Sequence, residues 1–200
     1  MLAYEDKILS NKTAFISKLN QVSQDLQTDP NWLMAVMYKE SQLNPAAQNT
    51  KFPLSGGPAT GLIQFTPDTA TSLGTSIQSL KAMSNVDQLD YVKSYLMPYK
   101  GKLTSYFNVY ASVFFPAAIG KADDWVFEAK NISRSSVARQ NPSLDFNKDG
   151  KITVAEFKQY VNNTIPSQLK NLVFKIKENP GTTALIVIGA VVLFYAFKKK

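Results

Sequence analysis

DPNWLMAVMYKESQLNP, residues 29–45, decides how this chain is read. Asp29 is placed as a helix N-cap and Pro30 as the first helical residue, a position that needs no N–H donor. Leu33, Val36, Met37 and Glu40 follow at helical spacing and share one face. A glutamate therefore closes an apolar stripe. Burial disfavours a charged carboxylate and raises its pKa. The C-terminal end of the helix adds negative potential, which pushes the same way. A carboxylic acid still protonated near neutral pH is the donor that a glycosidic oxygen needs. The pattern alone leaves a second reading open: a helix-end glutamate beside Lys39 that simply faces water.

Working outward, residues 1–130 read as mostly helical. Helices are expected over 5–27, 30–42, 66–73, 76–82, 86–97, 103–114 and 123–131. Breaks fall at Asn44-Pro45, Gly56-Gly57-Pro58, Pro98, Gly101, Pro116 and Gly120. Residues 48–62 form a loop rich in Gly, Pro, Ser and Thr, and no long alternating strand stands out. From Ser133 the chain turns polar.

Hydrophobic residues make up 44% of the 200 and charged residues 18%, enough apolar material for a packed core. There is no cysteine and no histidine. That excludes disulfides, thiol nucleophiles, Cys/His zinc sites and Ser-His-Asp triads, and leaves carboxylates, hydroxyls and lysines for any hydrolytic chemistry. The net charge is +7, but the lysines are scattered and no basic helix with interleaved aromatics appears, so nucleic acid is not expected as a partner.

Gly181–Phe197, GTTALIVIGAVVLFYAF, carries no charge and is followed by Lys198, Lys199 and Lys200. As a helix it would span about 25 Å, the short end of what a bilayer core of about 30 Å requires. It is apolar on every face, so a transmembrane anchor is expected, with a lipid membrane as partner. The terminal lysines favour a cytoplasmic C-terminus, although Lys170, Lys175 and Lys177 flank the other side. The opening residues MLAYEDKILSNK do not read as a secretory signal.

MAVMYKESQLNP (34–45) followed by GLIQFTPDTA (61–70) resembles the lytic transglycosylase family with a soluble-lytic-transglycosylase domain. Glu40-Ser41 matches the family's Glu-Ser motif near a helix end. Gly61-Leu62-Ile63-Gln64 matches its Gly-Leu-Met-Gln motif, with Ile for Met. The third motif departs: NVYASVFFPAAIG (108–120) stands where Ala-Tyr-Asn-Ala-Gly is usual, and is similar to phage-encoded members. The resemblance covers about residues 25–130. It implies a lysozyme-like helical fold acting on bacterial peptidoglycan, whose anionic wall polymers would attract a basic protein. It makes Glu40 the single catalytic acid and base. Ser41, Gly61, Gln64 and Tyr110 become substrate-binding residues: Ser41 orients Glu40 or the sugar, Gln64 holds an N-acetyl or backbone group, and Gly61 allows close approach of the backbone. On pattern alone, an aromatic inside VYASVFF such as Tyr110 is more often a core residue. Asp68, Asp87 and Asp90 are the other carboxylates between Glu40 and Tyr110, and none is needed as a second catalytic group.

Asp145-Phe-Asn147-Lys-Asp149-Gly150-Lys151-Ile152-Thr153-Val-Ala-Glu156 fits the EF-hand loop pattern at each defining position. Asp145, Asn147, Asp149 and Glu156 would supply side-chain oxygens, Lys151 a backbone carbonyl, and Thr153 a direct or water-mediated ligand. A structural Ca2+ is expected, with no organic cofactor. Some transglycosylases of this superfamily carry such a site, which is part of what the resemblance implies. Asn141-Pro142 leaves little room for an entering helix, and there is one loop where EF-hands usually pair.

The expected architecture is all-α. A lysozyme-like transglycosylase domain occupies 1–130, an EF-hand-like calcium segment 131–165, a juxtamembrane linker 166–180 and a transmembrane helix 181–197. The expected function is a peptidoglycan lytic transglycosylase giving a 1,6-anhydromuramic product, anchored in a phage virion membrane or a host inner membrane, with virion proteins as further partners. Three alternatives stay open: a goose-type hydrolytic lysozyme, a non-catalytic wall-binding membrane protein, and a calcium-responsive membrane adaptor.

Overall fold

A computed structural model describes residues 1–50, 54–128, 133–165, 167 and 169. The fold is mostly helical, with eight α-helices among the described residues. They are α1 Lys12–Leu26, α2 Pro30–Ser41, α3 Pro67–Ser72, α4 Ile77–Ala82, α5 Asn85–Leu96, α6 Tyr106–Phe114, α7 Arg134–Gln140 and α8 Val154–Thr164. They fall into two compact units, Met1–Thr104 and Ser105–Ile165.

The first unit is organised on α1, α2 and α5. Phe15, Leu19, Val22 and Leu26 recur at helical spacing on α1, and Leu89, Val92 and Leu96 on α5; all are buried as these helices pack together. Each such side chain contributes roughly 1.5–3 kcal/mol by leaving water. In α2, Asp29 caps the helix by accepting from the Asn31 N–H at 2.8 Å, with Pro30 at the first position as expected. Five consecutive residues, Leu33 to Met37, are buried. The single stripe read from spacing thus understates this helix: it is enclosed on most faces, as a central helix must be.

Serine and threonine set the other helix starts. Thr66, Ser76, Ser84 and Ser105 each accept from the N–H three residues on. α3 and α4 accordingly begin one residue later than expected, α5 at Asn85 directly after its Ser84 cap, and α6 at Tyr106 where Leu103 was expected.

The expected helix from residue 5 is replaced by a single 3-10 turn, Glu5–Lys7, and α1 begins only at Lys12. Tertiary contacts outcompete propensity here. Tyr4 stacks on Tyr38 with ring centroids 3.8 Å apart, and the Ala3 N–H donates to Asn31 Oδ1 at 2.9 Å. Asn85 Nδ2 donates to the Ser10 carbonyl at 2.7 Å, and Asn11 Nδ2 to Asn85 Oδ1 at 3.2 Å.

The second unit packs α6 against α8 around an aromatic core. Phe114 and Phe157 lie 5.1 Å apart, Phe115 and Phe127 4.7 Å. The helix expected over 123–131 does not form in its described part. Trp125–Phe127 runs extended instead. The Phe127 N–H donates to Ile152 O at 2.8 Å and the Val154 N–H to Trp125 O at 3.0 Å. Phe127 is fully buried by this pairing, and burying that ring outweighs the local preference. Before the calcium-type loop, α7 is capped by Ser133 and ends at Gln140, directly before Asn141-Pro142 and short of Asp145.

No helix among the described residues is long and apolar enough to cross a membrane. The expected linker 166–180, apart from Ser167 and Leu169, and the expected anchor 181–197 lie outside the described residues.

Candidate active site

Glu40 stands half-buried in the last turn of α2. Burial pushes its carboxyl from an ordinary 4.5 up to about 7, and the Lys39 charge offsets only part of the rise. Among the described residues none donates a hydrogen bond to it. Immediately beyond, Gln42 (φ 55°) and Leu43 (φ 62°) are both left-handed. Such residues cost roughly 1 kcal/mol or more apiece when not glycine. The strain is held by the Gln42 N–H on Tyr38 O at 2.8 Å, by the Asn44 N–H on Ser41 O at 3.0 Å, and by the burial of Leu43.

Ser41 is buried, and its Oγ lies 2.9 Å from Met37 O and 3.0 Å from Leu62 O. Its hydroxyl joins the helix that carries Glu40 to the Gly61–Gln64 segment. Its single proton is shared between the two carbonyls, which ties the two motifs together; the expected role of orienting Glu40 or sugar stays a proposal.

Gly61 to Gln64 form the turn of a short hairpin. Thr60 and Phe65 close it, each N–H donating to the other's carbonyl at 3.0 and 2.8 Å. The Gly61 N–H donates to Ala47 O at 2.9 Å. Gly61 has φ +87°, and a Cβ there would lie 2.5 Å from Gln88 Oε1. The side chain that this glycine lets in is that of Gln88. Gln64 is also left-handed, at φ 54°. Its Nε2 donates to Gly61 O at 3.0 Å and Ala47 O at 3.3 Å, which fixes the amide. Among the described residues no donor reaches its Oε1.

Gln88 was missed. It is fully buried on α5, its Oε1 accepts from the Leu62 N–H at 2.9 Å, and its Nε2 donates to Pro45 O and Leu80 O at 2.6 Å each. The signal was a glutamine at an apolar register position, one residue before Leu89 and four before Val92.

The other carboxylates between the motifs are engaged elsewhere. Asp90 pairs with Lys18 at 2.7 Å, Asp87 accepts from Ser84 Oγ at 2.7 Å, and Asp68 lies in the first turn of α3. Tyr110 belongs to the second unit. It is buried, with its ring 5.4 Å from Phe157 and 6.2 Å from both Tyr106 and Phe114. Within that unit it is a member of the aromatic core.

The calcium-type loop, residues 145–156, is closed by its own backbone. Asp145 Oδ1 and Oδ2 accept from the Asp149 and Gly150 N–H groups at 3.1 and 3.0 Å. Asn147 Oδ1 accepts from Asp149 at 2.9 Å, and Asp149 Oδ1 from Lys151 at 2.9 Å. Glu156 Oε1 accepts from Phe146 and Asn147 at 3.1 and 3.4 Å; its Oε2 accepts from the Thr153 N–H and Oγ1 at 2.9 and 2.8 Å. The all-oxygen donor set suits a hard cation. Among the described residues, however, no three acidic side chains converge as a metal cluster.

Residues 18–97 match the family model described as Transglycosylase SLT domain. The matched stretch contains Glu40, Ser41, Gly61, Gln64 and Gln88, with α2, the hairpin turn and α5 that hold them. The matched domain indicates an enzyme of the lytic transglycosylase kind, a lyase that cleaves peptidoglycan. Comparison with curated proteins and with solved structures returned no match.

One consequence concerns stability. The folded pKa of Glu40 lies above its unfolded value, so the folded state prefers the protonated carboxyl. That preference is fully present below about 4.5 and is lost as pH rises through about 7. Glu40→Gln is neutral at every pH. Urea denaturation should find it more stable than the parent by about 1–3 kcal/mol near pH 8, with the difference largely gone near pH 5. Equal stability at both pH values would show that the carboxyl is not held in a desolvated site.

Proposed function

We propose that this enzyme cleaves the β-1,4 bond between N-acetylmuramic acid and N-acetylglucosamine, leaving a 1,6-anhydromuramic end. The half-buried Glu40 carboxyl with a pKa of about 7 carries the reading. Near neutral pH such a group is populated in both protonation states, so one residue can serve twice. Protonated Glu40 gives its proton to the glycosidic oxygen as the C1–O bond breaks and the N-acetylglucosamine side leaves as an alcohol. The muramoyl ring is left as an oxocarbenium-like centre. The Glu40 carboxylate then takes the proton of the muramoyl 6-hydroxyl as that oxygen bonds to C1. The acid is restored and no water is consumed. Most glycosidases need a second carboxylate to deliver water or form a covalent adduct. The engagement of Asp87 and Asp90 in other contacts supports the single-carboxylate route.

Mass spectrometry of digested peptidoglycan tests this directly. The parent should release anhydromuramic ends, with turnover falling as pH rises above about 7, and Glu40→Gln should lose at least a hundredfold in kcat, on the order expected for removing a general acid. Reducing ends would support the goose-type hydrolase instead. Undiminished turnover in Glu40→Gln would remove Glu40 from the chemistry.

The second unit is proposed to take Ca2+ on its loop, through Asp145, Asn147, Asp149, Glu156, Thr153 and the Lys151 carbonyl. The support is the ligand pattern and the all-oxygen donor set. Binding there requires Glu156 to release backbone N–H groups it now accepts from. Calorimetric titration of calcium into the full chain should show one site, lost in Glu156→Gln. In chelator the same variant should still lower thermal stability, because Glu156 also completes the capping box of α8. No heat and no shift on adding calcium would reduce the loop to a metal-free turn.

A membrane anchor over residues 181–197 is proposed from the uncharged run and its flanking lysines. Residence in a virion membrane rests on the likeness of the Tyr110 segment to phage members. Flotation with vesicles should recover the full chain with lipid and leave a chain ending at residue 165 behind; equal recovery would sink the anchor.

A further inference from the structure

We propose that Gln88 is a positioning residue for the reaction: it grips the Leu62 N–H from α5 while Ser41 grips the Leu62 carbonyl from α2. Together they set where the Gly61–Gln64 turn stands against the helix end that carries Glu40. The proposal rests on Glu40 being the acid.

The geometry is specific to a primary amide of this length. Gln88 has no exposed surface, and it meets three backbone groups from three places in the fold. Its Oε1 accepts from Leu62 at 2.9 Å, while its Nε2 donates to Pro45 O and to Leu80 O, both at 2.6 Å. Pro45 lies in the reversal that leaves α2 just after Glu40, and Leu62 precedes Gln64 by two residues. One side chain thus ties the segment emerging from the acid to the turn that presents the Gln64 acceptor. Leu80 O, on α4, anchors the amide to a third element.

Leu62 itself is fully buried, so water cannot take over either of its hydrogen bonds. Its carbonyl receives Ser41 Oγ at 3.0 Å, and Ser41 is the next residue after Glu40. An apolar side chain at 88 would leave the Leu62 N–H and the Pro45 carbonyl without partners, while Leu80 O would keep the Met83 N–H at 3.1 Å, and the turn would relax until they found some. Gly61 is the other half of the fit. Any Cβ there would occupy the space of the Gln88 amide, 2.5 Å from Oε1 and 3.1 Å from Cδ and Nε2. The glycine of the motif and Gln88 are therefore complementary, and the reacting geometry depends on both.

The test is steady-state kinetics of the full chain on solubilised glycan strands, with near-UV circular dichroism to measure the folded fraction. Gln88→Met keeps the volume and removes the amide; Gln88→Asn keeps the amide one methylene short. Each, per folded molecule, should lose about tenfold or more in kcat with KM within about threefold, as expected of a displaced catalytic frame. Combined with Ser41→Ala, the loss should be less than the product of the single losses, since both residues act through Leu62. If Gln88→Met does not fold, Gln88→Asn decides by the same criterion. A folded variant at parental kcat, or a loss that follows only the unfolded fraction, overturns the proposal. Glu40→Gln in parallel separates the two ideas. If it is inactive while the Gln88 variants are unimpaired, the acid stands and the positioning role fails. If it is active, the acid fails and the positioning role fails with it.

Discussion

A single residue governs the site. Leu62 has its N–H held by Gln88 of α5 and its carbonyl held by Ser41 of α2. Both grips are buried, and each comes from a different helix of the first unit. The hairpin turn can therefore adopt one position only as long as the two helices keep theirs. Since α1 packs on both α2 and α5, the apolar core of the unit is transmitted to the turn through these hydrogen bonds. This is how a loop with four consecutive non-repetitive residues acquires the rigidity of the helices beside it. Sites need that rigidity, because misplacement of about 1 Å can cost a hundredfold in rate.

Local chemistry in the sequence was enough for α2. A capping aspartate, a proline at the first turn and a spaced apolar run specify a helix without reference to anything distant, and Glu40 follows as its last-turn carboxylate. The Gly-Leu-Ile-Gln turn was likewise legible as a unit. What each residue of it does was not. Gly61 signals a backbone that needs space, but only the fold says that Gln88 fills the space. Ser41 signals a hydroxyl next to a carboxylate, and the fold sends that hydroxyl to Leu62. Gln88 is the plainest case. In isolation it is a polar residue that spoils an amphipathic face, and its three partners lie 8, 26 and 43 residues away in the chain. Trp125–Phe127 failed for the same reason: its extended form is stabilised by Ile152 and Val154, which no local window contains.

The second unit shows a loop of EF-hand pattern completed without a second loop. Ile152, inside the loop, accepts at its carbonyl from the Phe127 N–H of the same unit. Glu156, the ligand that closes such loops, accepts from four donors of the protein and caps α8. The loop is thus held in shape by hydrogen bonds that do not involve an ion. A cation would compete with those bonds rather than organise a disordered segment, so its binding free energy would be reduced by whatever Glu156 gives up.

Glu40 sets stability against function in the first unit. A carboxyl placed where burial raises its pKa to about 7 destabilises the fold whenever it ionises, and the left-handed pair Gln42–Leu43 adds strain directly after it. The carboxyl gains nothing in packing, and the strained pair is repaid only in part, by the burial of Leu43. Both place a protonatable oxygen at a helix end where the chain must reverse sharply toward Pro45. The same reversal delivers the Pro45 carbonyl to Gln88 and so locks the turn that carries Gln64. The cost of holding the carboxyl half-buried is met by the core of α1, α2 and α5, and in the proposed reaction one carboxylate would suffice, because a group poised near neutrality can give a proton in one step and take one back in the next.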